Sequence, residues 1–143
     1  MRKREASLRE VAEQMKASLE DATREQRRLA EEKKRMEEEP ETLLSIVSQV
    51  ESPRLRLCLD VGHVNHYSRH PALEWMECWG GWLSHLHLHN NDGSADSHGS
   101  LQRGSLPMAD IIRRIGGSMT ATLELIEIGN DIHWLEEAGL LDE

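Results

Sequence analysis

The chain has 143 residues, a net charge of −9 at pH 7, eight histidines and two cysteines. Two cysteines are too few for a disulfide framework, no apolar stretch approaches the ~20 residues of a membrane span, and the charged N-terminus lacks the apolar core of a signal peptide. We therefore expect a cytoplasmic protein with room for one ordinary domain and with no membrane partner.

Charge and histidine are distributed unevenly along the chain. Residues 1–39 contain 11 basic and 11 acidic side chains, whereas residues 40–143 contain 6 basic and 15 acidic side chains and all eight histidines. An acidic, His-rich segment suits cation binding, whereas a nucleic-acid backbone requires clustered Lys and Arg. We therefore do not expect nucleic acid as a partner.

Residues 1–39 are predicted to form a charged helical extension. The segment has no Gly or Pro before Pro40 and is rich in residues that favour helix. Apolar side chains recur every seven residues, at Leu8, Met15, Ala22, Leu29 and Met36. The companion positions are apolar at first and charged later. Three interpretations therefore stay open: a solvated single helix with i,i+4 charge pairs, a coiled coil that joins copies of the chain, and disorder.

From Pro40 onward, helical and strand-like patterns alternate. Helices are predicted at about 41–50, 71–80, 106–115 and 132–140, strands at about 55–59, 83–89 and 120–128, and loops at 61–70 and 90–104. This order predicts parallel strands joined by crossover helices. Cys58 is expected to be a small buried residue of the first strand. Trp75 and Trp79 are expected to pack their helix against the sheet rather than to stack on a ligand.

Each predicted strand delivers polar side chains at or near its C-terminal end. In parallel α/β folds, that end is where ligands bind. Neutral imidazole is the commonest protein ligand for divalent transition metals, and a row of histidines on one face of a strand is poor core material. The side chains at these ends are Asp60, His63, His85, His87, His89 and Glu124.

Each of these candidates also has a structural alternative. Asp60 can cap the helix that follows it, with a surface histidine three residues on. His85 lies deeper in its strand, where a hydrogen-bonded core histidine is the expected role. Asp96 and His98 lie in a polar loop, where a solvated Asp-x-His is common. For Glu124, a buried carboxylate without a cation is costly, which favours a metal.

Four short motifs follow one another in a characteristic order. Residues 59–63 read LDVGH, residues 87–90 read HLHN, residues 96–98 read DSH and residues 122–124 read TLE. As an ordered set they resemble the LDxGH, HxxD, DxH and final LE elements of the xylose-isomerase-like TIM-barrel family. That family includes sugar phosphate isomerases and epimerases and the relatives of endonuclease IV. Asn90 stands where the family usually has Asp.

The resemblance covers about residues 40–140 and implies an α/β fold, namely the last three βα units of an eight-unit TIM barrel with parallel strands. The expected domains are the helical extension, 1–39, and the partial barrel, 40–143. A complete barrel takes about 200–250 residues or more, so we expect that this chain does not close one alone. Three parallel strands leave two open edges, which predicts a homo-oligomer or a partner chain.

The resemblance also implies a metal site with one to three divalent ions, for which Mn²⁺, Mg²⁺, Co²⁺ and Zn²⁺ are all admissible. The implied metal ligands are Asp60, His63, His87, Asp96, His98 and Glu124. Glu124 and His63 are the implied catalytic groups, because the earlier strand-borne Glu of the family is missing. His66, His89 and Asn90 are the expected substrate contacts. Residues 99–104 read GSLQRG where family members tend to read LPLGEG.

Three functions follow from these implications. The first is a metal-dependent isomerase or epimerase acting on a small sugar or sugar phosphate, in which the metal polarises a carbonyl and its neighbouring hydroxyl. The second is an endonuclease IV-like phosphodiesterase, which the Asp96-x-His98 pair favours and the acidic charge disfavours. The third is a truncated, non-catalytic barrel remnant that binds metal or a partner.

Overall fold

The computed structural model describes residues 2–50 and 52–141, with side chains from residue 9 onward except Glu37. The chain divides into two compact units, Met1–Arg35 and Met36–Glu143. Within the described residues, no helix is both long enough and apolar enough to cross a membrane.

The first unit is occupied by helix α1 (Arg2–Glu38), which confirms the predicted long helix. Its surface carries local ion pairs such as Arg28–Glu25 at 2.7 Å and Lys16–Glu20 at 3.9 Å. Met15 and Leu19 are each 68% exposed. The side chain of Leu8, the first residue of the seven-residue recurrence, lies outside the described part. The coiled coil therefore stays a prediction.

The second unit is a three-stranded parallel sheet with helices between its strands, in the order β1-β2-β3. Its elements are α2 (Pro40–Val47), β1 (Leu57–Asp60), α3 (Val61–Tyr67), α4 (Ala72–Trp79), β2 (Leu83–Leu88), α5 (Met108–Arg113), β3 (Thr120–Leu123) and α6 (Asp131–Glu137), with a 3-10 turn at Gly80–Trp82 before β2. The alternating helices and parallel strands confirm the predicted α/β class, and three such strands after a long helix form part of a TIM barrel.

Two predicted boundaries are wrong. The segment predicted as a loop at 61–70 begins with helix α3, because the side chain of Asp60 accepts a hydrogen bond from the backbone N–H of His63 and caps the first turn. The third strand ends at Leu123 rather than near residue 128. Beyond Glu124 the chain turns to another partner, with the N–H of Ile126 donating to the carbonyl of His98.

The core lies between one face of the sheet and the helices. Leu59 and Leu86 point into it and are almost completely buried. Trp75 and Trp79 of α4 are also buried, with ring centroids 5.1 Å apart, and each indole N–H finds an acceptor within the unit. The expectation that these indoles serve packing is confirmed.

The opposite face of the sheet, here called the polar face, follows directly from the strand register. The paired rows place Cys58 beside His85 and Thr120, and Asp60 beside His87 and Thr122. Cys58 is exposed, so the prediction of a buried residue is wrong. The reason is that Leu57 and Leu59 take the core positions of β1, and period-2 alternation then turns Cys58 to the polar face.

Candidate metal centre

Asp60 connects the side chains of the site, because each of its two carboxylate oxygens lies close to two nitrogen atoms. Oδ1 accepts the capping hydrogen bond from the backbone N–H of His63 at 3.0 Å and lies 2.8 Å from Nε2 of His89. Oδ2 lies 3.4 Å from Nδ1 of His63 and 3.7 Å from Nδ1 of His87. The capping alternative is thus confirmed, and it coexists with three imidazole neighbours.

His89 is a completely buried imidazole that lies between the ring of His98 and the backbone of Gly62. Its ring stacks on His98 with centroids 3.9 Å apart and planes 4° apart. On Gly62, an added Cβ would lie 1.9 Å from Cε1 of His89, so only glycine leaves room for the ring. Since the Asp60 carboxylate only accepts, Nε2 of His89 carries the proton of that hydrogen bond. In the tautomer with its only proton on Nε2, Nδ1 carries an unshared lone pair.

The loop after β2 brings Asp96 and His98 back to this ring. Oδ2 of Asp96 lies 2.7 Å from Nε2 of His63 and 3.5 Å from Nε2 of His98, and its Oδ1 lies 3.7 Å from Nε2 of His89. His98 has a positive φ of 47°, unusual for a residue with a side chain. Its Nδ1–H donates to the carbonyl of Glu124 at 2.9 Å, which leaves Nε2 as the free nitrogen.

The buried Asn90 fixes the course of this loop. The backbone of Asn90 exchanges two hydrogen bonds with Gly99, at 3.0 and 2.9 Å. The side-chain amide of Asn90 donates to the carbonyl of Leu101 at 2.9 Å, while its oxygen accepts from the N–H of Leu106 at 3.1 Å. A Cβ on Gly104 would lie 2.0 Å from that oxygen. Buried hydrogen bonds of this kind hold the long polar loop in one conformation.

Glu124 approaches from the next strand. Its backbone N–H donates to the carbonyl of Leu88 at 3.1 Å, which extends the ladder by one bond beyond β3. Its Oε2 atom lies 2.8 Å from Nδ1 of His87. That pair lacks the alignment of a hydrogen bond, since Oε2 is buried without a hydrogen-bond partner. The side chain as a whole is 43% exposed, so the exposure belongs to its other atoms.

Three side-chain atoms within the described residues are buried without a hydrogen bond, and all three belong to this site. They are Nδ1 of His89, Oδ1 of Asp96 and Oε2 of Glu124. A buried polar atom without a partner is costly, and each of these three atoms has a lone pair of the kind that a divalent cation accepts. The donor set of carboxylates and imidazoles therefore fits a divalent metal ion.

In the part of the chain that the structure describes, three groups of side chains bring ligand atoms within 4.8 Å of one another. The members of the first are Asp60, His89 and Glu124; of the second His63, His89, Asp96 and His98; and of the third Cys58, His85 and His87. The first two groups share His89 and lie at the carboxyl ends of the strands. His89 thus links a carboxylate-rich group to an imidazole-rich group.

The electrostatics of the site favour a positive charge. Burial alone raises the pKa of Asp60, but the hydrogen bonds from His89 and from the backbone of His63 outweigh it and lower the pKa to about 2. The pKa of His98 is raised, first by its hydrogen bond to the carbonyl of Glu124 and further by the nearby carboxylates. Asp60 thus stays ionised at any ordinary pH, with two further carboxylates close by.

The structure brings all six expected metal ligands to one edge of the sheet. His87 groups with Cys58 and His85, and its Nδ1 also lies 2.8 Å from Glu124 and 3.7 Å from Asp60. His63 lies on the first turn of α3 with its side chain 49% exposed. His66, an expected substrate contact, stands outside the three groups, and its Nδ1 lies 2.9 Å from the carbonyl oxygen of Gly93.

His89 and Asn90, the other expected substrate contacts, lie inside the protein, and that role stays a prediction that their burial argues against. Sequence reasoning missed two features of the site. One is the central position of His89. Strand alternation places His85, His87 and His89 on the same face and does not distinguish them. The other is Gly62, whose only signal is its place inside the LDVGH motif.

Comparisons with known proteins agree with this fold. The family model described as the xylose isomerase-like TIM barrel matches residues 2–138. The uncharacterized protein MJ1311 of Methanocaldococcus jannaschii is 31% identical over 78 residues, which are 53% of this chain and 26% of that protein. Two solved structures also resemble this chain, each with a TM-score of 0.58.

One of these structures is the TTHB071 protein from Thermus thermophilus, soaked with ZnCl2. It is 27% identical, and the match covers 73% of this chain and 42% of that one. The other is a D-tagatose 3-epimerase-like protein, 28% identical, for which the figures are 69% and 40%. The chain therefore spans about two fifths of these structures and about a quarter of MJ1311.

A parallel sheet with carboxylates and imidazoles at its carboxyl edge defines a class, the α/β barrel proteins that bind ligands at that edge. The family match extends over nearly the whole chain, and the chain belongs to the xylose isomerase-like TIM barrel family. The resemblance of the four motifs is thereby confirmed. The match also includes the whole of α1, and the domain division at 39/40 stays a prediction.

Proposed function

We propose that the chain carries part of a divalent-metal-dependent isomerase or epimerase acting on a small sugar or sugar phosphate. The observation that carries this proposal is the set of three buried, unpartnered ligand atoms at the carboxyl edge of the sheet, on His89, Asp96 and Glu124. Family membership and the likeness to an epimerase-like structure support the substrate class.

Asp60, His89 and Glu124 would hold the cation, with Asp96 and His98 able to hold a second one beside His63. When bound, a divalent cation draws electron density from a sugar carbonyl and its neighbouring hydroxyl, which makes the proton on the intervening carbon easier to remove. Mn²⁺, Mg²⁺, Co²⁺ and Zn²⁺ all suit such oxygen and nitrogen ligands.

Glu124 and His63 are the proposed proton carriers. Glu124 keeps Oε2 buried at the metal group, so its second oxygen, Oε1, is the atom that takes the proton from the carbon. His63 is half exposed, and its Nε2 lies 2.7 Å from Oδ2 of Asp96. The exposed imidazole is therefore placed to return a proton to a sugar oxygen.

Proton exchange at carbon tests this proposal directly. The chain is loaded with each of the four cations and incubated in D₂O with free and phosphorylated ketoses and aldoses. We expect deuterium to enter the carbon next to the carbonyl, as seen by loss of its proton NMR signal. Glu124→Gln should slow the exchange by about 10²–10⁴-fold, whereas the exposed neighbour Glu127→Gln should leave it unchanged. Metal-loaded protein that exchanges no sugar would contradict the proposal.

A second candidate function, the endonuclease IV-like phosphodiesterase, has one observation in its favour. The group of His63, His89, Asp96 and His98 offers a further cation site beside the carboxylate group, and neighbouring metal ions suit phosphodiester cleavage. The net charge of −9 opposes the approach of a phosphate backbone. Zn²⁺-dependent cleavage of an oligonucleotide with an abasic site would favour this candidate. Bound metal with neither reaction would favour the non-catalytic remnant.

We also propose that copies of the chain associate through α1. Val11, Met15 and Leu19 form an exposed apolar stripe at helical spacing, and a second copy of the stripe would cover it. A double variant, Met15→Glu with Leu19→Glu, should lower the molar mass measured by light scattering to that of a monomer, while the control Ala17→Glu should not. A parent chain that is already a monodisperse monomer would contradict this proposal.

A further inference from the structure

A cluster with sulfur chemistry lies on the polar face, deeper along the strands than Asp60. Cys58 of β1 is the lateral neighbour of His85 on β2, and His87 follows on the same face two residues later. One ligand atom from each of the three side chains lies within 4.8 Å of the other two. The cluster is therefore set by strand register, not by a flexible loop.

We propose that Cys58, His85 and His87 form a second metal site that takes a thiophilic divalent cation such as Zn²⁺ or Co²⁺. A thiolate with two imidazoles is a donor set that prefers these ions over Mg²⁺ or Mn²⁺, which favour oxygen ligands. Three protein ligands also leave a fourth position of a tetrahedral site open. This site goes beyond the proposed sugar chemistry and does not require it.

The distances suit such an ion after a small adjustment. With bonds of about 2.3 Å to sulfur and about 2.0 Å to nitrogen, tetrahedral ligands of one zinc ion lie ~3.3–3.5 Å apart. The three ligand atoms, within 4.8 Å of one another, must therefore approach by no more than about 1.5 Å. Cys58 is exposed and the two histidines are half-buried, so χ rotations can supply that movement.

His85 is already oriented by its neighbours on β3. Its Nδ1 lies 2.7 Å from Oγ1 of Thr120, and its Nε2 lies 3.1 Å from Oγ1 of Thr122. A cation would replace the longer of these contacts, and the exposed Thr122 hydroxyl would turn to water. The shorter contact would then hold the ring by its other nitrogen, as is usual for a metal-binding histidine.

Two carboxylates, those of Asp60 and Glu124, lie beside the cluster. His87 lies between the two sites, with Nδ1 at 2.8 Å from Glu124 and 3.7 Å from Asp60. These carboxylates attract a cation to the polar face. Binding breaks the S–H bond of Cys58 and forms a metal–sulfur bond, and the proton leaves to the buffer. The site thus gains a positive ion and loses a proton next to two carboxylates.

Cobalt absorption tests the proposal, because a thiolate bound to Co²⁺ gives a near-ultraviolet charge-transfer band that oxygen and nitrogen ligands do not give. The full chain is titrated with Co²⁺ in the presence of excess Mg²⁺, which occupies carboxylate sites. We expect the band to saturate at about one equivalent in the parent and in Cys78→Ser, whose cysteine lies on α4. Cys58→Ser should abolish the band and weaken Co²⁺ binding at this site by more than about 100-fold.

Two further variants keep the outcomes separate. His85→Asn retains a partner for Thr120 and should weaken the band while the thiol remains. Asp60→Asn should remove the metal of the sugar site and leave the band intact, so failure of the proposed function and failure of this site give different results. A parent without the band, or a band that Cys78→Ser removes as well, would overturn the proposal.

Discussion

The two faces of the sheet are built from the same strands but differ in the contacts that their side chains make. On the core face, Leu59 and Leu86 pack into the buried apolar cluster that includes side chains of the helices. On the polar face, Asp60 and His87 stand one position away along the same strands. Asp60 contacts three ionisable side chains and His87 contacts two. The comparison shows that one face supplies stability and the other holds unsatisfied ligand atoms.

The first way to test this division is to damage the core face alone. Leu86 is completely buried at the centre of β2. Leu86→Ala should lower the free energy of unfolding by about 3 kcal/mol through lost burial and a cavity. Denaturant unfolding measures this loss. Metal affinity of the fraction that remains folded should change less than about threefold, an allowance of roughly 0.6 kcal/mol. A large fall in affinity would show that the two faces are not independent.

Metal addition should act on the polar face alone. A cation at about 100 times its dissociation constant should raise the free energy of unfolding by about 2.7 kcal/mol, because it binds the folded chain only. Thermal melts with and without EDTA check this shift. With Mg²⁺ or Mn²⁺, which the Cys58 cluster disfavours, Asp60→Asn should lose the shift. Asp110→Asn, which changes an exposed carboxylate on α5, should keep it. A shift of equal size in both variants would place the cation elsewhere.

Gly62→Ala should affect both properties at once. The new Cβ would overlap the ring of His89, whose other side is closed by His98. The ring must move, which should cost about 2 kcal/mol of stability and also weaken metal binding by tenfold or more, equivalent to about 1.4 kcal/mol. Gly81→Ala meets no atom within 4 Å and is the matched control. Unchanged metal binding in Gly62→Ala would remove His89 from the site.

His70 lies outside the proposed metal sites and forms ion pairs with two glutamates. Hydrogen bonds to Glu74 and then to Glu39, at 3.0 Å each, raise its pKa above 6.5. Because the pKa is raised in the folded chain, the stabilisation is complete below pH 6.5 and is lost as the pH rises through the raised pKa. The stability gap between the parent and His70→Gln should therefore shrink with rising pH, and EDTA should not alter it. A gap that grows with pH would reverse this assignment.

Sequence patterns predict the core face well because alternation and helical spacing depend on local chemistry. The parallel order, α1 and the packing role of Trp75 and Trp79 all follow from such patterns. The polar face is less predictable, since exposure there depends on what lies across the sheet, which alternation does not encode. Cys58 illustrates this limit, because its apolar neighbours in sequence suggest burial and its actual position is exposed.

The proposed metal set follows from motif order but not from spacing alone. Asp60, Asp96, His98 and Glu124 come together as their motifs imply. That His89 joins this set depends on where β2 ends and on the path of the loop that follows it, and the role of His87 as a ligand stays a prediction. The position of His89 is set by tertiary contacts, namely the hydrogen bonds of the buried Asn90 side chain and the close approach of Gly62.

The central claim is that His89, Asp60 and Glu124 hold a divalent cation, and metal content after extensive dialysis tests it most directly. The parent should retain about one equivalent or more, as expected for a folded site with dedicated ligands. Asp60→Ala and His89→Ala should lose that metal, and the exposed controls Asp110→Ala and His133→Ala should keep it. A parent that purifies and reconstitutes without bound metal, or an Asp60→Ala variant that retains a full equivalent at this site, would contradict the account.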